Sequence, residues 1–174
     1  QHPLIRPSWH LMLSSNTATG KGFLFSSILS KIMPNSACVS SYSALFGEHS
    51  RILESNMLVL LDDAKSKSDS TMTKLKSALS EPHIYVNPKG IDAYTADTYT
   101  RVILATNERR PLRIDANERR WFAVKYMEHR VSQEETQQFI DQLAKWLETP
   151  GAIEAVYDYF MKVDLSGFNP KHIP

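Results

Sequence analysis

The chain has 174 residues, is 42% hydrophobic and 22% charged, and carries a formal net charge of +1. That composition suits one globular domain with a sizeable core; the near-neutral total leaves any nucleic-acid affinity to local basic clusters, the densest being Arg109, Arg110, Arg113, Arg119 and Arg120. Cys38 is the single cysteine and the six histidines show no HExxH or HxxxH spacing, which excludes an internal disulfide and argues against zinc; no apolar run approaches the roughly 18 residues of a membrane span and no signal peptide precedes the first strand, so no membrane role and a cytoplasmic compartment are expected.

Trp9 to Leu13 reads as a short buried strand. The chain opens on Gln1 and reaches this strand at once, as a domain cut from a longer polypeptide would. Ser14 to Gly20 is a small-residue loop. A helix is predicted from Lys21 to Met33, with Leu24, Ile28, Leu29 and Ile32 on its inner face and Pro34 as its stop. Met57 to Leu61 is a continuous apolar run ending in Asp62-Asp63, the pattern of a central parallel strand buried on both faces. Asp69 to Leu79 is predicted helical, with Met72, Leu75 and Leu79 inward. Ile84 to Ala96 suits two short strands around a turn at Pro88-Lys89-Gly90. Arg101 to Ala105 is another buried strand, closing on Thr106-Asn107, and Trp121 to Tyr126 a further one. Ser132 and Glu135 form a capping box for a helix carrying Phe139, Leu143, Trp146 and Leu147. Pro150 opens a last helix with Ile153, Val156, Tyr157 and Phe160 on one face. Strands alternating with helices imply an α/β fold with a mainly parallel sheet, flanked by helices, whose ligands bind beyond the C-terminal strand ends.

Four segments carry chemistry. Between the first strand and its helix lies Ser15-Asn16-Thr17-Ala18-Thr19-Gly20-Lys21-Gly22-Phe23. Phosphates need inward N–H groups, a helix N-terminus and a flexible cation, and this loop offers all three, with Lys21 as the cation. It departs from G-x-x-x-x-G-K-[ST] at Ser15 and Gly22; a plain surface loop before a helix reads the same way. Asp62 and Asp63 end a buried strand, where Asp62 can serve Mg²⁺ and Asp63 can act as general base for water; an acidic exit turn is the simpler alternative. Asn107 can orient that water or touch a γ-phosphate, or merely make a turn. Arg119 and Arg120 stand before an apolar strand, as charge-stabilising arginines for phosphoryl transfer or as partners of Asp115 and Glu118. Their order along the chain is what raises them above accident.

That ordered set, over Trp9 to Val124, resembles the superfamily 3 helicases, and among them the helicase part of phage and mobile-element primase-helicases. The group's phosphate loop often reads Gly-Lys-Gly, as Gly20-Lys21-Gly22 does. Its second motif ends Asp-Glu, here Asp62-Asp63, and its third Ser/Thr-Asn, here Thr106-Asn107. Its arginine finger precedes an aromatic-rich strand, which points to Arg120, with Arg119 second. The resemblance implies an AAA+-like P-loop NTPase: an ATPase core over 1–130 and a C-terminal helical segment over 131–174 packed on it. It implies ATP and Mg²⁺ as ligands, and a ring, in this group a hexamer, on single-stranded or forked DNA. It also implies a hairpin before the third motif that grips DNA through Lys89, with Lys76 nearby. Primase-type segments would lie N-terminal in the full polypeptide, in the cytoplasm of a bacterium. A P-loop phosphotransferase on a small molecule, or a non-catalytic nucleotide-binding assembly module, would share the phosphate loop without the unwinding role.

Overall fold

The computed structural model describes residues 2, 5–6, 8–64, 68–112 and 118–173. Its elements run β1 (His10–Ser14), α1 (Lys21–Phe23), a π-helical stretch (Leu24–Leu29), α2 (Ser30–Ile32), β2 (Ser36–Val39), α3 (Tyr42–Phe46), α4 (Ile52–Ser55), β3 (Leu58–Asp62) and α5 (Asp69–Ser80). They continue with β4 (His83–Val86), β5 (Tyr94–Asp97), β6 (Arg101–Thr106), β7 (Trp121–Ala123), α6 (Gln133–Leu147) and α7 (Ala152–Lys162). Five strands form one sheet in the order β2-β3-β6-β1-β7, and every neighbouring pair in it is parallel. β4 and β5 form a separate antiparallel hairpin. No helix among the described residues is long and apolar enough to cross a membrane.

Alternation along the central strands sends side chains to two cores. Met12, Val59, Leu61, Val102 and Leu104 meet Leu45, Leu53, Leu75 and Leu79 from α3, α4 and α5 on one face. Leu58, Leu60, Ile103 and Ala105 meet Phe25, Leu29 and Met33 on the other. Both faces are covered, which is why β3 and β6 read as unbroken apolar runs.

The predicted helix after the first strand is present, but its inner face is corrected. The stretch Leu24–Leu29 is π-helical, and its wider turn brings residues four apart into line. Phe25, Leu29 and Met33 therefore face the core, while Leu24 is exposed. β7 is shorter than predicted: after Ala123 the chain stays beside β1 through Val124 N–H to Met12 O and Met127 N–H to Ser14 O. β2, α3 and α4 had no counterpart in the sequence reading. The capping box of α6 forms as read, Ser132 accepting from Glu135 N–H at 3.1 Å and Glu135 accepting from Ser132 N–H at 3.0 Å. Its inward face is Ile140, Leu143, Ala144 and Leu147, with Phe139 turned out to solvent. α7 starts at Ala152, after Gly151 in the left-handed region, two residues later than Pro150.

His10 pins the start of β1. Its Nδ1 accepts the N–H of Val102 at 3.0 Å, so Nε2 carries the proton and donates to Leu79 O at 3.2 Å. Burial pushes the imidazole pKa down from 6.5 to about 4, with Arg6 and Arg101 adding to the effect and the Leu79 bond opposing it. The unfolded chain binds this proton more readily, so the stabilisation is complete above pH 6.5 and is lost as pH falls toward 4, on the order of 3 kcal/mol in all. Urea denaturation across that window should show stability rising with pH, and His10→Gln should flatten the slope; an unchanged slope in the variant would remove His10 as its source.

Candidate functional site

Parallel pairing sets the strand ends side by side. Asp62 is level with Ala105, and Ser14 with Thr106. The loops leaving β1, β3 and β6 therefore emerge on one edge of the sheet, the edge where α/β folds bind ligands.

The β1 loop is held from both sides. Ser15 N–H donates to Thr106 O at 3.1 Å and Asn16 N–H to Met127 O at 3.0 Å. Ala18 and Gly20 then take left-handed backbone, φ 57° and 87°, turning the chain into the helix that begins at Lys21. Glycine is the residue that accepts such a φ without strain. The Ser15 and Thr19 hydroxyls meet at 2.5 Å, and Thr19 also donates to Asn16 O at 3.2 Å. Lys21 Nζ reaches back across this loop to the Ser15 hydroxyl, to Asn16 O at 3.4 Å and to Asn107 Oδ1 at 3.0 Å. Partial burial lowers its pKa below an ordinary lysine's, while the nearby Asp62 and Asp63 carboxylates pull the other way.

A cavity of about 500 Å³ opens over the loop, lined by Ala18, Thr19, Gly20, Lys21, Gly22 and Phe23, with Asp62 and Asn107 beside them. Of the predicted loop residues, Asn16 and Thr17 are not in the lining; their backbones are engaged instead with Met127, Lys21 and His129. Asp63 is exposed outside the lining, with φ 47° and its N–H on Ala105 O at 2.8 Å.

For a divalent cation, the cavity wall supplies two carboxylates, Asp62 beside Lys21 and Asp141 on α6. Among the described residues no group of three or more His, Cys, Asp or Glu gathers as a metal site. Mg²⁺ commonly takes one or two carboxylates and completes its shell with phosphate and water. The residues thus fit a cation that arrives with its phosphates, and not a protein cage.

The arginine pair lies elsewhere. Arg120 O accepts His10 N–H at 2.7 Å, which places Arg120 at the start of β1 and β7, a five-residue strand from the cavity edge and so roughly 15 Å away. Its guanidinium holds Glu118, whose side chain is 4% exposed, through Nη1 at 2.9 and 3.1 Å, and donates from Nε to Ser80 Oγ at 2.6 Å. Lys76 Nζ stands 3.9 Å from the same carboxylate. Burial would raise the Glu118 pKa, but the Arg120 bonds and the two neighbouring cations outweigh it and hold the group below the usual carboxylate value. Arg119 is exposed. Arg109 stacks on Tyr126, 4.1 Å from the ring centroid, and pairs with Glu128 at 2.6 Å. Arg113, Asp115, Ala116 and Asn117 lie outside the described residues. Arg109 and Arg120 of the basic cluster thus lie at opposite ends of the strands.

Lys89 is exposed in the loop joining β4 and β5, with Gly90 at φ 79° after it. The hairpin is docked by Tyr94 Oη donating to Glu54 at 2.7 Å and by His49 Nδ1–H donating to Asn87 O at 2.8 Å.

Sequence reasoning missed one wall of the cavity, formed by Gln137, Ile140, Asp141 and Ala144 of α6. Their spacing of three and four marks one helix face, but nothing in the sequence said what that face would meet. It also missed His129, whose ring bridges Thr17 O at 2.9 Å and the Thr136 hydroxyl at 3.0 Å, tying the loop to the first turn of α6.

A family model described as a family of unknown function, DUF5906, matches residues 12–120. No curated protein matches the sequence. The A form apo structure of the NrS-1 C-terminal region is similar at TM-score 0.59 and 19% identity, covering 94% of this chain and 41% of that one. A second apo structure of the same region is similar at TM-score 0.61 and 18% identity, covering 93% and 41%. This likeness is one of fold, and the chain spans about two-fifths of the length of those structures.

The loop geometry separates its two glycines. Gly20 has φ 87°, and a Cβ there would sit 3.3 Å from Ile140 Cδ1, whereas a Cβ on Gly22 meets nothing within 4 Å. Gly20→Ala should lower stability by about 1–2 kcal/mol, and Gly22→Ala should leave it unchanged or raise it by about 0.5 kcal/mol. Thermal denaturation of the two variants checks this; equal shifts would contradict the assigned backbone.

Proposed function

We propose that this chain, which belongs to the DUF5906 family, is the ATP-hydrolysing motor of a ring-forming DNA helicase that acts in replication. One observation carries the reading: Asp62 and Asn107, at the ends of two adjacent parallel strands, and Lys21, beyond the loop that leaves a third, line one cavity, with Lys21 bonded to Asn107 at 3.0 Å. A cation, a carboxylate and an amide converging on a glycine-bearing loop fit a nucleoside triphosphate better than any part of them fits a structural role. The ordered resemblance to superfamily 3 helicases supports the same assignment.

In this reading Lys21 and the loop N–H groups hold the phosphates. Asn107 orients the attacking water, and Asp63, at the turn beyond β3, takes its proton. Asp62 is the residue that would hold a Mg²⁺ ion entering with the nucleotide, and that ion would supply Lewis-acid polarisation of the phosphoryl group. Arg120 lies too far to serve its own cavity, so as a finger it acts on the nucleotide of a neighbouring copy, which requires head-to-tail contacts that close into a ring. Lys89 on the exposed hairpin contacts the DNA backbone inside that ring.

Lys21→Ala should abolish ATP hydrolysis while the chain stays folded, as judged by circular dichroism and a colorimetric phosphate assay; wild-type turnover in that variant would sink the assignment. Arg120→Ala should lose roughly 10³- to 10⁵-fold in turnover with nucleotide affinity retained, and mixing it with Asp63→Asn should restore part of the activity. Absence of rescue at every mixing ratio would rule out a site shared between copies.

A further inference from the structure

α6 is a 15-residue helix with a complete capping box, yet none of its residues is buried. Its inner face does not seal a core. It stands over the phosphate loop, with Ile140 against Gly20, and leaves a cavity of about 500 Å³ between them. A helix there for packing alone would close that space with apolar side chains. Instead the wall carries Gln137 and Asp141, with Gln137 Nε2 donating to Asp141 Oδ1 at 2.9 Å.

Electrostatics sorts the cavity into two ends. The loop and Lys21 attract phosphate, whereas the Asp141 carboxylate repels it. Asp141 therefore belongs to a part of the ligand that donates hydrogen bonds and carries no negative charge. Gln137 occupies one of its oxygens; among the described residues nothing is bonded to Oδ2, which leaves it to a ligand. Ile140, Ala144 and Phe23 add apolar surface to the same lining. A ribose with free hydroxyls next to a base matches that pairing of acceptor and apolar wall.

We propose that this face of α6 is the nucleoside wall of the site, and that Asp141, braced by Gln137, accepts the ribose 2′-hydroxyl and so selects ribonucleoside over deoxyribonucleoside triphosphates. The inference rests on the reading that the Lys21 loop binds a triphosphate. His129, bonded to Thr17 O and Thr136 Oγ1, fixes the helix in register with the loop.

The test is a calorimetric titration of the protein with ATP, dATP and inorganic triphosphate. The parent should bind ATP ~10- to 100-fold more tightly than dATP, the range for one hydrogen bond to a charged acceptor. Asp141→Ala should bind ATP as weakly as the parent binds dATP, with Asp141→Asn intermediate. Equal affinity of the parent for ATP and dATP overturns the proposal, as does discrimination that survives in Asp141→Ala. A preference between ATP and GTP that vanishes in Asp141→Ala while ATP and dATP stay equal also overturns it, because the carboxylate then reads the base. Inorganic triphosphate separates the two levels: if it competes with ATP while ATP and dATP bind alike, only the ribose inference fails, and if no triphosphate binds, the phosphate-loop reading fails with it.

Discussion

The register of β6 between β1 and β3 sets the height at which Asp62, Asn107 and the loop that leads to Lys21 meet at the candidate site. β6 is parallel to both neighbours, so Asp62, Ser14 and the Thr106-Asn107 turn emerge at one level. Its side chains do little to resist a slip, because Val102 and Leu104 face one apolar core and Ile103 and Ala105 the other, and a shift by one residue would exchange apolar for apolar. Polar pins at the ends of the strands supply the specificity. His10 Nδ1 accepts Val102 N–H near the start, and Ser15 and Asp63 N–H groups donate to Thr106 and Ala105 carbonyls near the end. A buried imidazole with both nitrogens satisfied tolerates no displacement, since either lost bond leaves a desolvated group.

These features also decide how much of the molecule was legible in its sequence. Leu58 to Leu61 and Val102 to Ala105 are continuous apolar runs because both faces of the sheet are covered, and such runs are readable without a structure. The same holds for the capping box at Ser132 and for the hairpin. β2 was not readable: Ser36-Ala37-Cys38-Val39 is an edge strand with no buried residue, and its composition resembles a loop. α3 and α4, of five and four residues, are too short to show a period. The inner face after the β1 loop departs from expectation at Leu24 because the backbone there makes the wider π turn in place of a 3.6-residue one, and the buried position is Phe25.

For the site, residues that sit at strand ends were legible and residues that arrive by tertiary docking were not. Lys21, Asp62 and Asn107 each follow a recognisable strand, and topology alone brings them together. Gln137, Ile140 and Asp141 come from a helix more than a hundred residues after the loop it covers. An amphipathic face announces that something will lie against it, not what. That is also why Arg120 was assigned by its place in an ordered set, while the structure shows which groups surround it: a buried Glu118, Ser80 and, farther off, Lys76.

The two cations of the proposed reaction are prepared in opposite ways. Arg120 is paired with a nearly buried carboxylate, so its charge is largely neutralised where it stands. Among the described residues, the hydrogen-bond partners of Lys21 are uncharged: the Ser15 hydroxyl, the Asn16 carbonyl and the Asn107 amide oxygen. Dipoles of that kind orient an ammonium without cancelling its charge, and the positive field projects into the cavity. Asp62 and Asp63 are close enough to pull its pKa upward against burial, yet neither is bonded to it in the described structure. An anion entering the cavity therefore meets a positioned cation and displaces no carboxylate from it. Preorganisation of this kind favours phosphate binding at Lys21, whereas any use of Arg120 on a ligand must first separate it from Glu118, and under the proposed ring that ligand is the nucleotide of a neighbouring copy.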